Sequence, residues 1–196
     1  STQEQGRIRE VIGREWKLEV DEILEIEIFE VLKSESNWAI LSEESGQYAG
    51  DSQRMWVVDP LDGSANYSRE IPFSAISIGL WEDTVPILGV VLEISTGRCF
   101  SGITGVGAWV DRVQFNCPRP IGDNAKFGIL GTGFPSGFDH STENLMELME
   151  TTRLFGKTRL LGSAAMSLIY VATGRLDSYF EKRIALWDIG AGIPIV

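Results

Sequence analysis

Residues 56–66 read WVVDPLDGSAN, and this stretch decides how the rest of the chain is interpreted. The apolar run at its start predicts a strand, and two aspartates, Asp59 and Asp62, follow directly after it. Pro60 stops strand pairing and stiffens the turn between the two acids. Gly63 lets the backbone approach a ligand closely. The pattern therefore predicts a tight turn at a strand end, with both carboxylates facing one place.

Two further groups of acids lie next to apolar runs. Glu43 and Glu44 end the run that starts at Trp38, and Asp188 opens an apolar segment near the C-terminus. Strand ends in an α/β sheet commonly converge on one crevice, where gathered carboxylates repel each other unless they are protonated or bridged by cations. All-oxygen ligands suit Mg²⁺ or Mn²⁺ rather than zinc. The predicted metal ligands are Glu43, Asp59, Asp62 and Asp188.

The turn between the two aspartates adds groups that suit a phosphate. The Leu61 carbonyl would lie between the carboxylates as a neutral ligand, and Gly63 and Ser64 offer N–H groups to a phosphate if a helix begins there. Two metal ions would bind the phosphate oxygens, lower the pKa of an attacking water and stabilise the leaving oxygen. The alternative is a solvated turn, the usual structure of an isolated D-x-x-D-G pattern.

Charge and residue counts exclude several classes of protein. The 28 acids against 17 bases give a net charge of −11, which repels nucleic acid and anionic membranes, so neither is an expected partner. His140 is the only histidine, which argues against a structural zinc site and most schemes with a catalytic histidine. No apolar run is long enough to span a bilayer, and the N-terminus lacks the order of a secretory signal. Two cysteines without CxxC spacing indicate free thiols, and we expect a cytoplasmic protein.

Hydrophobic patterning predicts layered α and β elements. Apolar spacing indicates an amphipathic helix from Leu18 to Lys33. Short apolar runs predict strands at 38–41 and 55–58, the second of which stops at Asp59. Alternation predicts a mostly antiparallel meander over residues 73–110. A loop-like composition at residues 117–122 marks the expected boundary between two lobes.

The second half of the chain shows helix and strand alternation. Ser163 is the expected N-cap of a buried helix. The predicted elements are a strand, a glycine-rich loop, a surface helix, the buried helix and a last strand, at residues 126–130, 131–137, 141–154, 164–172 and 176–180.

Four motifs in the chain resemble, in order, those of the inositol monophosphatase family, the lithium-sensitive, magnesium-dependent sugar and inositol phosphate phosphatases. The resemblance follows the order and spacing of the family from about residue 21 to residue 196. The motifs are LSEES at 41–45, WVVDPLDGS at 56–64 followed by Asn66, GSAA at 162–165, and WDIGAG at 187–192.

The resemblance implies two to three Mg²⁺ ions, with Mn²⁺ as a possible substitute. Glu43 and Asp59, with the Leu61 carbonyl, would hold a first, activating ion. Asp59, Asp62 and Asp188 would hold a second. Glu43 would also order the waters of a weaker third ion.

The resemblance also implies which residues touch the substrate. Gly63 and Ser64 match the phosphate-binding turn, in which the serine hydroxyl would help to orient the attacking water. The implied catalytic residues are Glu43, Asp59, Asp62 and Ser64. The implied substrate-binding residues are Asp62, Ala164, Glu181 and Asp188, of which Ala164 and Glu181 would contact the hydroxyls of the sugar or inositol.

The fold implied by the resemblance is an α/β, five-layer αβαβα sandwich, usually a homodimer. One structural unit would comprise an N-terminal α+β lobe, residues 1–120, with the main metal site, and a C-terminal α/β lobe, residues 121–196, shorter than its family counterpart. The implied reaction is hydrolysis of small polyol phosphate monoesters, inositol monophosphate first, by a metal-activated water.

Some residues depart from the family pattern. Ser64 stands where threonine is usual, Leu18 replaces a threonine, and the family's lysine-and-serine loop is not recognisable in residues 7–16. The chain also ends at Val196, before the family's last strands and helix, so that it is either partial or shortened. Two alternatives stay open: fructose 1,6-bisphosphate or 3′-phosphoadenosine 5′-phosphate as the substrate, and a non-catalytic or incomplete relative.

Overall fold

The apolar run before the paired aspartates forms a central strand of the main sheet. This is seen in a computed structural model, which describes residues 8–12, 15–50, 53–118, 122–134 and 137–196. In chain order the strands are β1 (Ile8–Ile12), β2 (Glu15–Leu18), β3 (Ala39–Ser42), β4 (Gly46–Tyr48), β5 (Arg54–Asp62), β6 (Ala75–Glu82), β7 (Val85–Glu93), β8 (Cys99–Ile103), β9 (Gly107–Val110), β10 (Val113–Phe115), β11 (Ile129–Thr132), β12 (Lys157–Leu160) and β13 (Ser178–Tyr179). The helices are α1 (Glu19–Glu35), α2 (Ser64–Ser68), a 3₁₀ helix (Gly122–Phe127), α3 (Thr142–Thr152), α4 (Ala164–Ala172) and α5 (Leu186–Ile189).

The main sheet has eight strands in the order β10-β9-β8-β7-β6-β5-β3-β4. All neighbours are antiparallel except β3 and β5, which run parallel. The predicted end of β5 at Asp59 is wrong, because pairing with β6 continues to Asp62 across a register shift. Pro60 lies within that shift, where a missing ladder N–H is tolerated.

Helices cover both faces of the main sheet. On one face, the predicted helix α1 is confirmed, and its buried Phe29 and Leu32 pack against Ile40 and Val58. On the other face, α4 contributes Met166 to a core formed with strands β6 to β9 and the C-terminal segment. Burying these apolar faces is what holds helix and sheet together.

A second, parallel sheet follows α4, with the strand order β12-β11-β13. It contacts α4 through β13, and α3 forms the crossover from β11 to β12. The layers α1, main sheet, α4 with α5, and second sheet follow one another in the order of the first four layers of the predicted αβαβα sandwich, and the α/β fold class is confirmed.

Several elements differ from their predictions. Strands β1, β2, β4, β10 and β12 were not predicted. The strand predicted at 126–130 begins only at Ile129, after the 3₁₀ helix, and it extends to Thr132. Gly131, predicted to lie in a loop, is therefore extended, because parallel pairing on both sides of β11 overrides the weak strand propensity of glycine.

Two predictions fall partly outside the described residues. The lobe boundary at 117–122 includes residues 119–121, and the glycine-rich loop includes residues 135–136. The division into lobes 1–120 and 121–196 stays a prediction.

A row of glycines crosses three neighbouring strands of the main sheet. Gly79 of β6 pairs with Gly89 of β7, which pairs with Gly102 of β8. A Cβ atom at Gly89 would lie 1.8 Å from the Ala191 carbonyl oxygen, and one at Gly102 would lie 2.4 Å from the Pro194 carbonyl oxygen. Only glycines allow the segment after α5 to lie this close to the sheet.

Gly89→Ala should destabilise the protein by about 3 kcal/mol or more, since a methyl group there has to displace backbone rather than a side chain. The measurement is the free energy of unfolding in urea. The control is Gly97→Ala, which places the methyl in open space and costs only about 1 kcal/mol for its left-handed φ. Equal losses in the two variants would contradict the close contact.

Candidate active site

The acidic residues meet at one edge of the main sheet. Strands β3 and β5 are parallel neighbours, so their carboxyl ends lie side by side. Glu43 follows β3 directly, and its N–H donates to the Val58 carbonyl oxygen of β5 at 3.2 Å. Asp59 lies one residue further along β5 and is almost fully buried. This pairing brings the Glu43 and Asp59 carboxyls into hydrogen-bonding contact.

The third member of this group comes from the other end of the chain. Asp188 lies in the short helix α5, where its carboxylate accepts from the Ala185 N–H at 3.2 Å. The Trp81 indole N–H holds the end of α5 by donating to the Gly190 carbonyl at 3.0 Å. As a result Glu43, Asp59 and Asp188 each place an oxygen within 4.8 Å of the other two.

Asp62 lies in the same cavity but is anchored elsewhere. Its carboxylate accepts hydrogen bonds from the Ser163 hydroxyl and from the Ala164 and Ala165 N–H groups, at the start of α4. The predicted N-cap is also present, since the Ser163 oxygen accepts from the Met166 N–H at 3.2 Å. Asp62 therefore links β5 to α4 and fixes the main sheet relative to the second half of the chain.

The turn after Asp62 begins a helix, as the phosphate-binding expectation required. Gly63 has a φ of 84°, in the left-handed region that favours glycine, and α2 begins at Ser64. The Ser64 hydroxyl is 2.8 Å from the Leu61 carbonyl oxygen and 3.4 Å from an Asp21 carboxylate oxygen. Asp21 of α1 is buried, and the resemblance had suggested no role for it in the site.

A cavity of about 260 Å³ joins these groups to the residues predicted for substrate hydroxyls. Glu181 accepts a hydrogen bond from the Tyr179 hydroxyl at 2.7 Å. Gly133 leaves room for it, since a Cβ atom there would lie 2.4 Å from a Glu181 carboxylate oxygen. The predicted site residues that line the cavity are Glu43, Asp59, Leu61, Asp62, Gly63, Ser64, Ala164, Glu181 and Asp188.

The cavity wall also contains residues that were not predicted. Thr132, Gly133 and Phe134 enter it at the end of β11, and Tyr179 enters from β13. The Thr132 hydroxyl is buried with no hydrogen-bond partner in the part of the chain that the structure describes, which suits a bound water or ligand. The apolar run that ends at residue 130 could have marked a strand end at the cavity. We missed it because residues 131–137 were assigned to a loop.

The carboxylates of the cavity have no basic residue beside them in the described part of its wall. No lysine, arginine or histidine occurs among the described residues that line it. Burial raises the pKa of Asp188 to about 8 and that of Glu43 to about 7. Burial, with repulsion from Glu43, raises the pKa of Asp59 well above its ordinary value. For Asp62, burial outweighs the hydrogen bonds from α4 and raises the pKa to about 6.

A divalent cation fits this set of donors. Three carboxylates share a space of ion-binding size, and the atoms that they offer as ligands are all oxygens. Oxygen donors of this kind suit Mg²⁺ or Mn²⁺. Glu43, Asp59 and Asp188 are the residues that could hold the ion most directly.

Comparisons with known proteins agree with the fold. The family model of the inositol monophosphatase family matches residues 17–196. An inositol-1-monophosphatase of Synechocystis sp. is 36% identical over 201 residues, covering 99% of this chain and 66% of the relative. The Nus factor SuhB of Pasteurella multocida is 34% identical, covering 90% and 67%. The crystal structure of the extragenic suppressor protein suhB from Bartonella henselae has a TM-score of 0.85 at 30% identity, covering 97% of this chain and 73% of that one.

The layered α/β fold, with a carboxylate cavity at its strand ends, defines a protein with the donors of a divalent-metal site. The chain belongs to the inositol monophosphatase family, and the resemblance noted in the sequence is confirmed. It spans 66% and 63% of the length of two curated inositol-1-monophosphatases that it matches.

The metal-free protein should lose stability as the pH rises from about 4 to about 8. The folded-state pKa values of Glu43, Asp62 and Asp188 lie above those of the unfolded chain, so the folded state binds more protons in this interval. Melting temperatures with chelator should fall over this range, and Mg²⁺ should raise the melting temperature more at pH 8 than at pH 5. A melting temperature that does not change with pH in the presence of chelator would contradict the raised pKa values of these carboxyls.

Proposed function

We propose that the chain hydrolyses small polyol phosphate monoesters, inositol monophosphate first, with Mg²⁺ held by the buried carboxylates. The observation that carries this proposal is the close group of Glu43, Asp59 and Asp188, unbalanced by any basic residue of the described cavity wall. Membership of the inositol monophosphatase family supports the same chemistry. Two to three ions are expected, and Mn²⁺ is a possible substitute.

The proposed metal sites share ligands. Glu43, Asp59 and the Leu61 carbonyl form the first, and Asp59, Asp62 and Asp188 form the second, while Glu43 also orders the waters of a weaker third. The Leu61 carbonyl oxygen accepts from the Ser64 hydroxyl and keeps a second lone pair for an ion. Asp62 likewise keeps a free acceptor position beside its three bonds to α4.

Bound cations would neutralise phosphate oxygens and lower the pKa of an attacking water. The chain's own residues position the reacting groups. Because the Ser64 hydroxyl can donate its proton to the Leu61 carbonyl or to Asp21, its oxygen can accept a hydrogen bond from a water and so orient it. The Gly63–Ser64 turn offers backbone N–H groups to the phosphate.

The leaving alcohol is assigned to the side of the cavity formed by Ala164 and Glu181. Burial raises the pKa of Glu181, and the Tyr179 hydroxyl holds its carboxylate in place. A carboxylate so held accepts hydrogen bonds from vicinal hydroxyls, which favours a polyol over a simple alkyl ester.

Other properties of the family stay predictions for this chain. These are homodimerisation, lithium sensitivity and a cytoplasmic location. Among the helices of the described residues, none has the length and apolar character needed to cross a membrane.

Phosphate release tests the proposed activity directly. The full chain is incubated with inositol 1-phosphate, fructose 1,6-bisphosphate or 3′-phosphoadenosine 5′-phosphate, with Mg²⁺ or with chelator. We expect Mg²⁺-dependent release, fastest from inositol 1-phosphate. A faster reaction with either of the other two compounds would identify that compound as the preferred substrate. No phosphate release from folded protein would support a non-catalytic relative.

Asp59→Asn should lower kcat/KM at least about 100-fold, because it removes a ligand proposed to be shared by two ions. The fold should persist, since the amide is nearly isosteric and relieves repulsion with Glu43. Asp83→Asn, in an exposed turn, is the matched control and should be neutral. Retained turnover in the Asp59 variant would exclude the two-ion scheme.

Glu181→Gln should change substrate preference more than turnover. Replacing the carboxylate weakens hydrogen bonds to substrate hydroxyls, so KM for inositol 1-phosphate should rise about tenfold. KM for glycerol 2-phosphate should rise less. The control is Glu82→Gln, on the surface. An unchanged ratio of kcat/KM values for the two esters would remove Glu181 from the substrate site.

A further inference from the structure

An aromatic cluster lies where the chain leaves β11. It consists of Phe134, Phe138 and the single histidine, His140, whose ring centroids are 5.0 to 5.2 Å apart in all three pairs. Phe138 meets His140 edge-on, at 89°. Such contacts add to the stability of aromatic clusters beyond the burial of their surface.

The cluster is anchored at the start of α3. The Asp139 carboxylate accepts from the Ser141 N–H at 3.0 Å and from the Asn144 side-chain amide at 3.1 Å. The Ser141 hydroxyl in turn caps α3 by accepting from the Asn144 N–H. Asp139, between Phe138 and His140, is thus held to a helix, which limits where the two rings can move.

Phe134 is the member of the cluster that lines the acidic cavity. It is 44% exposed, a large fraction for a phenylalanine that has two aromatic neighbours. The preceding residue, Gly133, is the one whose missing side chain makes room for Glu181. The cavity wall therefore presents an apolar ring one residue away from the position that contacts a carboxylate.

An aromatic ring and a carboxylate in the wall of one cavity match a cyclic polyol. Such a molecule has C–H groups that form an apolar face, and hydroxyls around its edge that donate to a carboxylate. Aromatic side chains bind an apolar face through burial of surface, and a rigid ring loses little conformational entropy when it binds. An acyclic polyol has no comparable rigid face.

We propose that Phe134, held by Phe138 and His140, is a specificity-determining residue that packs against the apolar face of a cyclic polyol phosphate. This rests on the proposed phosphatase function and narrows its substrate class to ring-shaped alcohols. The ring contributes to binding of the alcohol part of the substrate. The acidic residues, with their proposed cations, act on the phosphate and the attacking water.

The test compares a cyclic and an acyclic ester, inositol 1-phosphate and glycerol 2-phosphate, in steady-state kinetics with Mg²⁺. In Phe134→Ala, KM for inositol 1-phosphate should rise about fivefold, while kcat should stay within about twofold of the wild-type value. Both constants for glycerol 2-phosphate should change little. Phe134→Tyr keeps the ring and should keep the wild-type selectivity. Phe127→Ala removes a phenylalanine that is 76% exposed outside the cavity and is the matched control.

Equal losses for the two esters in Phe134→Ala, a loss confined to kcat, or no loss would overturn the inference. If the wild-type chain releases no phosphate from any ester, the proposed function fails, and calorimetric titration with inositol 1-phosphate and with inorganic phosphate decides the role of Phe134 separately. Selective weakening of inositol 1-phosphate binding in Phe134→Ala would support the inference without turnover. Equal weakening of both ligands, or no binding to the wild type, would overturn it.

Discussion

The burial of several carboxylates close to one another is the constraint on which the site depends. Glu43, Asp59 and Asp188 lie within 4.8 Å of one another, and Asp62 joins them in a cavity without a basic residue among its described lining. Bringing such charges together in a poorly solvated place is costly unless protons or cations compensate. Protons do so in the metal-free state, which is why the pKa values of these groups rise. A divalent cation would do so at neutral pH.

The fold holds the charges together with contacts that do not involve them. Parallel pairing of β3 and β5 places Glu43 beside Asp59, and the glycine row on β6, β7 and β8 lets the segment after Asp188 lie on the sheet. Asp62 is held by the N-terminal N–H groups of α4. Apolar burial and close backbone packing thus supply the stability that the site itself lacks.

The sequence was informative where a local pattern had a single physical meaning. The acids at the ends of apolar runs predicted the cavity, and Ser163 before an apolar segment predicted the start of α4. It was less informative where pairing decides the outcome. Pro60 suggested that the strand ended, but a register shift accommodates it within β5. Gly131 and Thr132 looked like loop residues, because nothing local shows that pairing with two parallel neighbours extends β11 toward the cavity. The position of Gly133 and Phe134 in the cavity wall was missed for the same reason.

Calorimetric titration of the full chain with Mg²⁺ and Mn²⁺ tests the central claim most directly, when it is repeated at pH 7 in buffers of different ionisation enthalpy. Groups whose pKa values lie near 7 and 8 carry protons that a bound cation must displace. We expect binding accompanied by release of about one to two protons at pH 7, decreasing toward pH 9. Binding without proton release, or no binding of either cation, would contradict the account of these carboxylates as an uncompensated metal site.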